Sequence, residues 1–351
     1  MTATIIENVV KAIEVDNLKA LEHNDTEAFA NDNPLKFEET GVNSIVNLII
    51  AETRMTKRTM HSLSFWIRKK HLLHSFGINK VKFEDKTDFK ILIEAVTLSK
   101  KISKLSICCM NFDTQIFGNS IGECLKSSSS LLELEIDKVS FDHPRSFYDM
   151  FSPVIHKHSR LNTLKVKGVL FTTLEVRVLQ LIIMNNKLIH TMDFSECIDD
   201  SKQEFSMFLC KFGQLCTVRY LTLDDMKPDM TNCIEDFGEA MGRNKKLEVL
   251  SMQNNKIKSL EYTRFWINMC GNSYLKKLNV SKTELNDKVC FALSDFLRDE
   301  HCRVRELDIS KNQITDIGLK SIAFGLMGNN SVKNLNLEGN HIKSEGLLHF
   351  A

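Results

Sequence analysis

Few side chains in this chain stand close enough together to act on a substrate or an ion. His71 and His74 have the spacing of one helical turn, and His156 and His158 are near neighbours. Two imidazoles can begin a zinc site, but no cysteine or carboxylate stands where it would complete one. Cys108 and Cys109 are adjacent. On a strand, alternation turns one inward and the other outward, which separates the sulfurs a redox switch must join. Cys124, Cys210 and Cys270 fall on apolar helix faces and read as buried structural thiols. The run Ser127 to Ser130 is a polar turn that offers hydroxyls for phosphorylation. The phosphate-cradling G-x-x-x-x-G-K-S/T, the nucleophile elbow G-x-S-x-G and the dinucleotide turn G-x-G-x-x-G are all missing. Acidic residues are scattered, with no pair set out for acid–base work. The expectation is a non-enzymatic protein with no cofactor and no metal.

Composition narrows the class. The chain has 351 residues, with 46 lysines and arginines against 45 aspartates and glutamates, a net charge of +1. Balanced charge of this kind argues against bulk attraction to nucleic acid or to a membrane surface. Only 4 prolines and 14 glycines occur, too few for long disordered linkers. The 10 cysteines contain no C-x-x-C pair and are too dilute for a secreted disulfide scaffold, which points to reduced thiols in a cytoplasmic compartment. The first residues lack the basic-then-apolar order of a signal peptide. The longest apolar run, Leu48 to Ala51, is far too short to span a bilayer.

The elements that would position any functional residue announce themselves by repetition. Arg305-Glu306-Leu307-Asp308-Ile309-Ser310-Lys311-Asn312-Gln313-Ile314 returns as Asn334-Leu335-Asn336-Leu337-Glu338-Gly339-Asn340-His341-Ile342. Extended to the template L-x-x-L-x-L-x-x-N-x-L, the pattern starts at Ile102, Leu131, Leu161, Ile189, Val218, Leu247, Leu275, Val304 and Val332, at intervals of 28 to 30 residues. A degenerate earlier unit runs through Ile78, Val81 and Phe83. Between starts, sets such as Val289, Ala292, Leu293, Phe296 and Leu297 have helical period. Each unit therefore reads strand, turn, helix, turn. Asn255, Asn312 and Asn340 occupy the template asparagine, where both ends of a buried amide can satisfy backbone groups left over by the turn. Thr283 and Cys197 are smaller substitutes, and the early repeats, apolar at this position, are expected to be less regular.

This pattern resembles the leucine-rich repeat family, in its ribonuclease-inhibitor-like subtype, over about three quarters of the chain. The resemblance implies an α/β solenoid, a horseshoe with parallel inner strands and outer helices, over residues 77–351 in nine to ten repeats. Residues 1–76 read as an all-helical cap. Within it, Asn33-Pro34-Leu35-Lys36 to Gly41, followed by the apolar Ile45 to Ile50, is similar to a degenerate ankyrin repeat, and His61 to Leu73 to a weaker second copy. At the chain's end, Leu347, Leu348 and Phe350 and an open edge strand are expected to be covered by further chain or by a partner.

On such a solenoid the residues between core positions of each strand face outward. They include Glu135, Lys165, Asp193, Tyr220, Lys277 and Glu306, the candidate protein-binding residues. Their signs alternate without a basic stripe, which argues against nucleic acid. Nine strands at roughly 4.8 Å would present about 40 Å of such surface. The resemblance implies a scaffold or adaptor subunit of a larger cytoplasmic or cytoskeletal assembly, since such repeats recur in axonemal and actin-regulating proteins. An alternative is a GTPase activator similar to the Ran-activating branch. That branch carries an acidic tail which this chain lacks, and no catalytic residue aligns with it. A sensor similar to ribonuclease inhibitor or to the immune receptors fits less well: the face is poor in tryptophan, and a nucleotide-binding module is missing.

Overall fold

The computed structural model describes residues 45–201, 204–215, 217–227 and 230–348. The chain divides into two compact units, between Leu161 and Asn162. In the first, strands β1 (Asn47–Ala51), β2 (Ser75–Asn79), β3 (Lys104–Cys108) and β4 (Glu133–Asp137) alternate with helices α1 (Lys57–Lys69), α2 (Lys86–Leu98), α3 (Gln115–Ser127) and α4 (Ser146–Ile155). These strands pair in parallel, in chain order. The second contains β5 (Thr163–Lys167), β6 (Thr191–Asp193), β7 (Tyr220–Thr222), β8 (Val249–Ser251), β9 (Lys277–Asn279), β10 (Glu306–Asp308) and β11 (Asn334–Asn336). Between them lie α5 (Thr173–Asn185), α6 (Glu204–Leu215), α7 (Ile234–Arg243), α8 (Ser259–Met269), α9 (Asp287–Arg298) and α10 (Asp316–Leu326). Template leucines meet across this sheet, with Leu164, Met192, Leu221, Leu250, Leu278, Leu307 and Leu335 in one line. Leu307 is 2% exposed, so its side chain lies wholly between strands and helices.

Among the described residues the alternation of strand and helix is already present from Asn47, inside the stretch expected to be a helical cap. β1 pairs with β2 through Leu48↔Phe76 and Ile50↔Ile78. Leu48 and Ile50 are buried at 3% each while Ile49 is 52% exposed, a period of two rather than 3.6. A short run of four apolar residues cannot distinguish those periods by composition alone. α1 is helical as expected, but His71 and His74 lie in the loop after it, not on one helical turn. The proposed ankyrin-like entry at 33–41 and the apolar residue Phe350 lie outside the described residues.

Every described strand leaves the sheet through the same turn. The fourth residue after the central buried position has positive φ in all of them: Glu52, Lys80, Cys109, Lys138, Gly168, Glu196, Asp225, Asn254, Lys282, Lys311 and Gly339. Only two are glycine, although an L side chain in this region costs about 1–2 kcal/mol. The conformation turns the residue's N–H onto the next repeat. Lys80 N donates to Cys108 O at 3.0 Å, Glu196 N to Asp224 O at 2.8 Å and Lys282 N to Ser310 O at 3.0 Å. Cys109 is therefore a turn residue and not the partner of Cys108 in strand alternation.

The template asparagines close what this turn leaves open. Asn312 Nδ2 donates to Val280 O and Ile309 O, both at 3.0 Å, and its Oδ1 accepts from Thr283 N at 2.8 Å and Leu285 N at 3.1 Å. Asn255 donates to Leu223 O and Met252 O, and Asn340 to Ile309 O and Leu337 O. Thr283 Oγ1 donates to Val280 O at 2.7 Å and Cys197 Sγ to Val166 O at 3.0 Å, so the smaller substitutes do part of the same work. Where Met110 or Val169 replaces the asparagine, the expected irregularity is absent. Strands there run to five residues, and the backbone pairs a second time beyond the turn, with Phe112 N on Ser140 O at 2.8 Å and Ile198 N on Val169 O at 3.0 Å.

A second asparagine ladder stands at the helix ends. Asn244 Nδ2 donates to Phe212 O at 2.6 Å, and its Oδ1 accepts from Lys246 N and Leu247 N at 2.8 and 2.7 Å. Asn272 and Asn329 repeat the arrangement on Met241 O and Leu297 O. Each binds a carbonyl of the preceding helix and starts its own repeat. At the same place Ser128 accepts from Ser130 N and Leu131 N, and Asn186 from Leu188 N and Ile189 N, ahead of the coming strand.

Asn312→Ala removes a buried amide that serves five backbone groups, Ser310 O being the fifth. It is expected to destabilise by about 1–3 kcal/mol, read as a lowered urea midpoint with unchanged slope. Lys282→Gly relieves a left-handed turn and is expected to be neutral or stabilising, by up to about 1 kcal/mol. The exposed helical Lys320→Gly should instead cost about 1 kcal/mol. Equal losses for the two glycine variants would contradict the role assigned to the turn.

Candidate protein-binding face

In the first unit, Glu135 does not stand alone on its strand. Lys104 Nζ lies 2.9 Å from Glu135 and 3.0 Å from Glu133, and Ser106 Oγ donates to Glu135 at 3.2 Å. Burial by itself would lower the Lys104 pKa, but the two carboxylates together hold it above its ordinary value.

In the second unit, the sequence-selected residues fall in two rows. Thr163, Thr191, Tyr220, Val249, Lys277, Glu306 and Asn334 share one, and Lys165, Asp193, Thr222, Ser251, Asn279, Asp308 and Asn336 the other. Lys277 and Glu306 are brought together as an ion pair at 2.8 Å. Lys165 and Asp193 are direct neighbours across β5 and β6. Asp193 is turned to its own turn, its Oδ1 accepting from Ser195 N at 2.9 Å and Ser195 Oγ at 2.6 Å. Tyr220, 37% exposed, has its ring centroid 6.3 Å from that of His190, edge to face, with the Arg219 guanidinium 5.6 Å from it. Both contacts hold the ring in place and leave it open to solvent.

Two features went unread in the sequence. The first is a network one residue upstream of the inspected rows. Glu248 is gripped on one oxygen by Arg219 Nε at 2.7 Å and on the other by Lys276 Nζ at 2.8 Å. The Lys276 hydrogen bond, aided by Arg219, holds the Glu248 pKa below its ordinary value. Applying the repeat period to the residue just before each strand would have found this row. The second is a shallow groove of about 640 Å³ along the strand ends, lined by Asp193, Ser195, Asp224, Gln253, Ser281 and Asp308 among others. Asp224 accepts from Ser251 Oγ at 2.6 Å, Gln253 N at 2.9 Å and Gln253 Nε2 at 2.9 Å. Burial outweighs these bonds, with help from the Asp193 charge, and raises the Asp224 pKa. Among the thiols, burial pushes Cys124 up to about 11, which keeps it protonated and inert. Cys270, expected on a buried face, is instead the exposed cap residue of α8.

The Asp224 shift sets a pH dependence. A carboxylate whose folded pKa is raised binds its proton longer in the folded than in the unfolded state. Stability therefore falls as pH rises from the ordinary aspartate value through the raised one. Asp224→Asn carries no such penalty. Its urea midpoint is expected to gain on wild type as pH rises from about 3 to about 7. A gap that is constant or closing over that range would contradict the burial argument.

Comparison with known proteins agrees with this architecture. A leucine-rich repeat family model matches residues 301–323 and 328–351. The chain is 30% identical over 101 residues to the RAN GTPase-activating protein 2 of Arabidopsis thaliana. That match covers 29% of this chain and 18% of the plant protein's length. Among solved structures, the yeast Rad7 and Elc1 complex matches with a TM-score of 0.51 and 13% identity, covering 81% of this chain and 69% of that one. An internalin of Listeria monocytogenes matches at 0.44 and 16%, over 88% and 85%. Among the described residues no helix is long and apolar enough to cross a membrane. The family match falls on the last two strand–turn–helix units, and the same turn and a buried apolar residue at the strand centre, leucine except at Phe76 and Met192, recur in every described unit before them, so the chain is a leucine-rich repeat protein.

Proposed function

We propose that the chain is a non-enzymatic scaffold or adaptor subunit. It holds protein partners on the strand face of its repeats and along the edges of the stack, within a larger cytoplasmic or cytoskeletal assembly, axonemal assemblies included. The observation that supports this reading most directly is Tyr220. An aromatic side chain more than a third exposed, braced by His190 and Arg219, presents a contact surface with little conformational entropy left to lose. Around it lie charges already set by pairing, Glu248 between Arg219 and Lys276, and Lys277 with Glu306. Such prearranged charge favours one partner over others more than it adds affinity. In this reading Glu135, Lys165, Asp193, Tyr220, Lys277 and Glu306 are contact residues, with Tyr220 the anchor.

A second reading rests on the 30% identity to the plant Ran GTPase activator. It makes this chain a stimulator of GTP hydrolysis on a small GTPase, and it predicts acceleration by orders of magnitude in a single-turnover assay.

The two are separated by one set of measurements. The chain is recovered with its native partners as wild type, as Tyr220→Ala and as Lys277→Glu. Both variants are expected to weaken association, Tyr220→Ala by about 2 kcal/mol, with melting temperatures unchanged. Retention of partners by both, with loss on Phe291→Ser or Ile317→Ser on the exposed helix side, would move the interface off the strand face. Accelerated hydrolysis by a Ran-type GTPase would replace the scaffold reading with the second.

A further inference from the structure

Just before each strand of the second unit one residue receives a hydrogen bond from the next repeat, and these residues form a straight ladder. Arg219 N donates to His190 O at 2.8 Å, Glu248 N to Arg219 O at 2.9 Å and Lys276 N to Glu248 O at 2.8 Å. Arg305 N donates to Lys276 O at 2.7 Å and Lys333 N to Arg305 O at 2.8 Å. After His190 the rungs are thus Arg219, Glu248, Lys276, Arg305 and Lys333. Glu248 is neutralised twice over, by Arg219 and by Lys276. Arg305 and Lys333 are exposed and make no ion pair among the described residues. The opposite edge of the same sheet is the groove that holds Asp193, Asp224 and Asp308. In a chain with a net charge of +1, one edge of this unit is basic and the other rich in acids.

We infer that this strand-entry edge docks an acidic helical segment of a protein partner, seated on Lys276, Arg305 and Lys333. The inference rests on the scaffold reading and gives its partner a chemistry. Charge complementarity calls for an anion, and geometry selects which. Neighbouring rungs of a sheet are about 4.8 Å apart, so the three consecutive cations span about 10 Å. Carboxylates at i, i+3 or i+4, and i+7 of a helix are spaced by about 5–6 Å and cover the same distance along its axis. Tyr274, 43% exposed and two residues before Lys276, supplies an amphipathic side chain of the type enriched at protein contacts. A nucleic-acid backbone fits less well. Its affinity comes from the number of phosphates that cations neutralise, and here Glu248 interrupts the ladder while Glu306 stands in the next row.

The test uses the full chain and fluorescence anisotropy. The probe is a labelled alanine–glutamate peptide of about 20 residues with glutamates at i, i+3 or i+4, and i+7. A composition-matched peptide with glutamates dispersed around the helix and a labelled oligothymidylate serve as competitors. The in-register peptide is expected to bind, and Arg305→Glu with Lys333→Glu to weaken it by about tenfold or more. Lys282→Glu with Lys311→Glu, at the groove edge, should leave binding unchanged. Circular dichroism melts confirm that these exposed substitutions keep the fold. Equal binding of the dispersed peptide, tighter binding of the oligothymidylate, or indifference to the Arg305 and Lys333 reversals would each overturn the inference. If the peptide fails while Tyr220→Ala still weakens recovery of native partners, the scaffold reading stands and only this assignment falls.

Discussion

The repeat depends on a single left-handed residue. A strand of three to five residues that pairs in parallel must leave the sheet quickly, because the next strand can be reached only through a helix running back. Lys311, Lys282 and their equivalents make that exit, and the conformation carries a steric cost at nine of eleven positions. What offsets it is the N–H they deliver to the next repeat. A net gain of about 0.5–1.5 kcal/mol for each such bond is of the same size as the strain. The turn is therefore affordable only where a neighbouring repeat accepts the bond, and this ties each unit's exit to the presence of the next, while leucine packing supplies the larger share of the stability.

The same constraint governs how much could be read in advance. Leucines and asparagines that repeat at 28 to 30 residues were legible because burial and hydrogen bonding allow few substitutes there. Nine starts were placed correctly from Ile102 onward. The turn residue was illegible, because Glu, Lys, Cys, Asp, Asn and Gly all occupy it and no composition marks it. The strand Asn47–Ala51 was hidden for a different reason: without a partner strand in view, a run of apolar residues has no visible period. Asn244, Asn272 and Asn329 were in plain register with the template, three residues before its first apolar position, but outside the window inspected. Missing template asparagines suggested less regular early repeats. Longer strands and a second backbone ladder took over the hydrogen bonds instead, since a buried carbonyl can be satisfied by any well-placed N–H.

Of the candidate contact residues, the sequence identified the rows correctly but not the pairing within them. Alternating signs were read only as the lack of a basic stripe on a protein-binding face. In the fold they are specific pairs: Lys104 with Glu133 and Glu135, and Lys277 with Glu306. An exposed pair such as Lys277 with Glu306 adds little stability, about 0–1 kcal/mol. The consequence of these pairs is a fixed charge pattern, in which side chains already held need no reordering when a partner arrives.

Charge polarity across the second unit has one source in the fold itself. Strands there are parallel, so the returning helices all run the opposite way. Their C-termini lie on the strand-entry side and their N-termini near the strand ends. Aligned helix dipoles favour cations on the first side and anions on the second, which matches Arg243 and Arg298 in the last turns of α7 and α9. The dipole field, however, fades within the last turn. Arg305 and Lys333 stand beyond the ends of α9 and α10, at the entry to β10 and β11, and take no part in capping them. Helix electrostatics thus accounts for the sign of the edge as a whole but not for Arg305 and Lys333, which make no ion pair among the described residues. Those remain free to meet charge that comes from outside the chain.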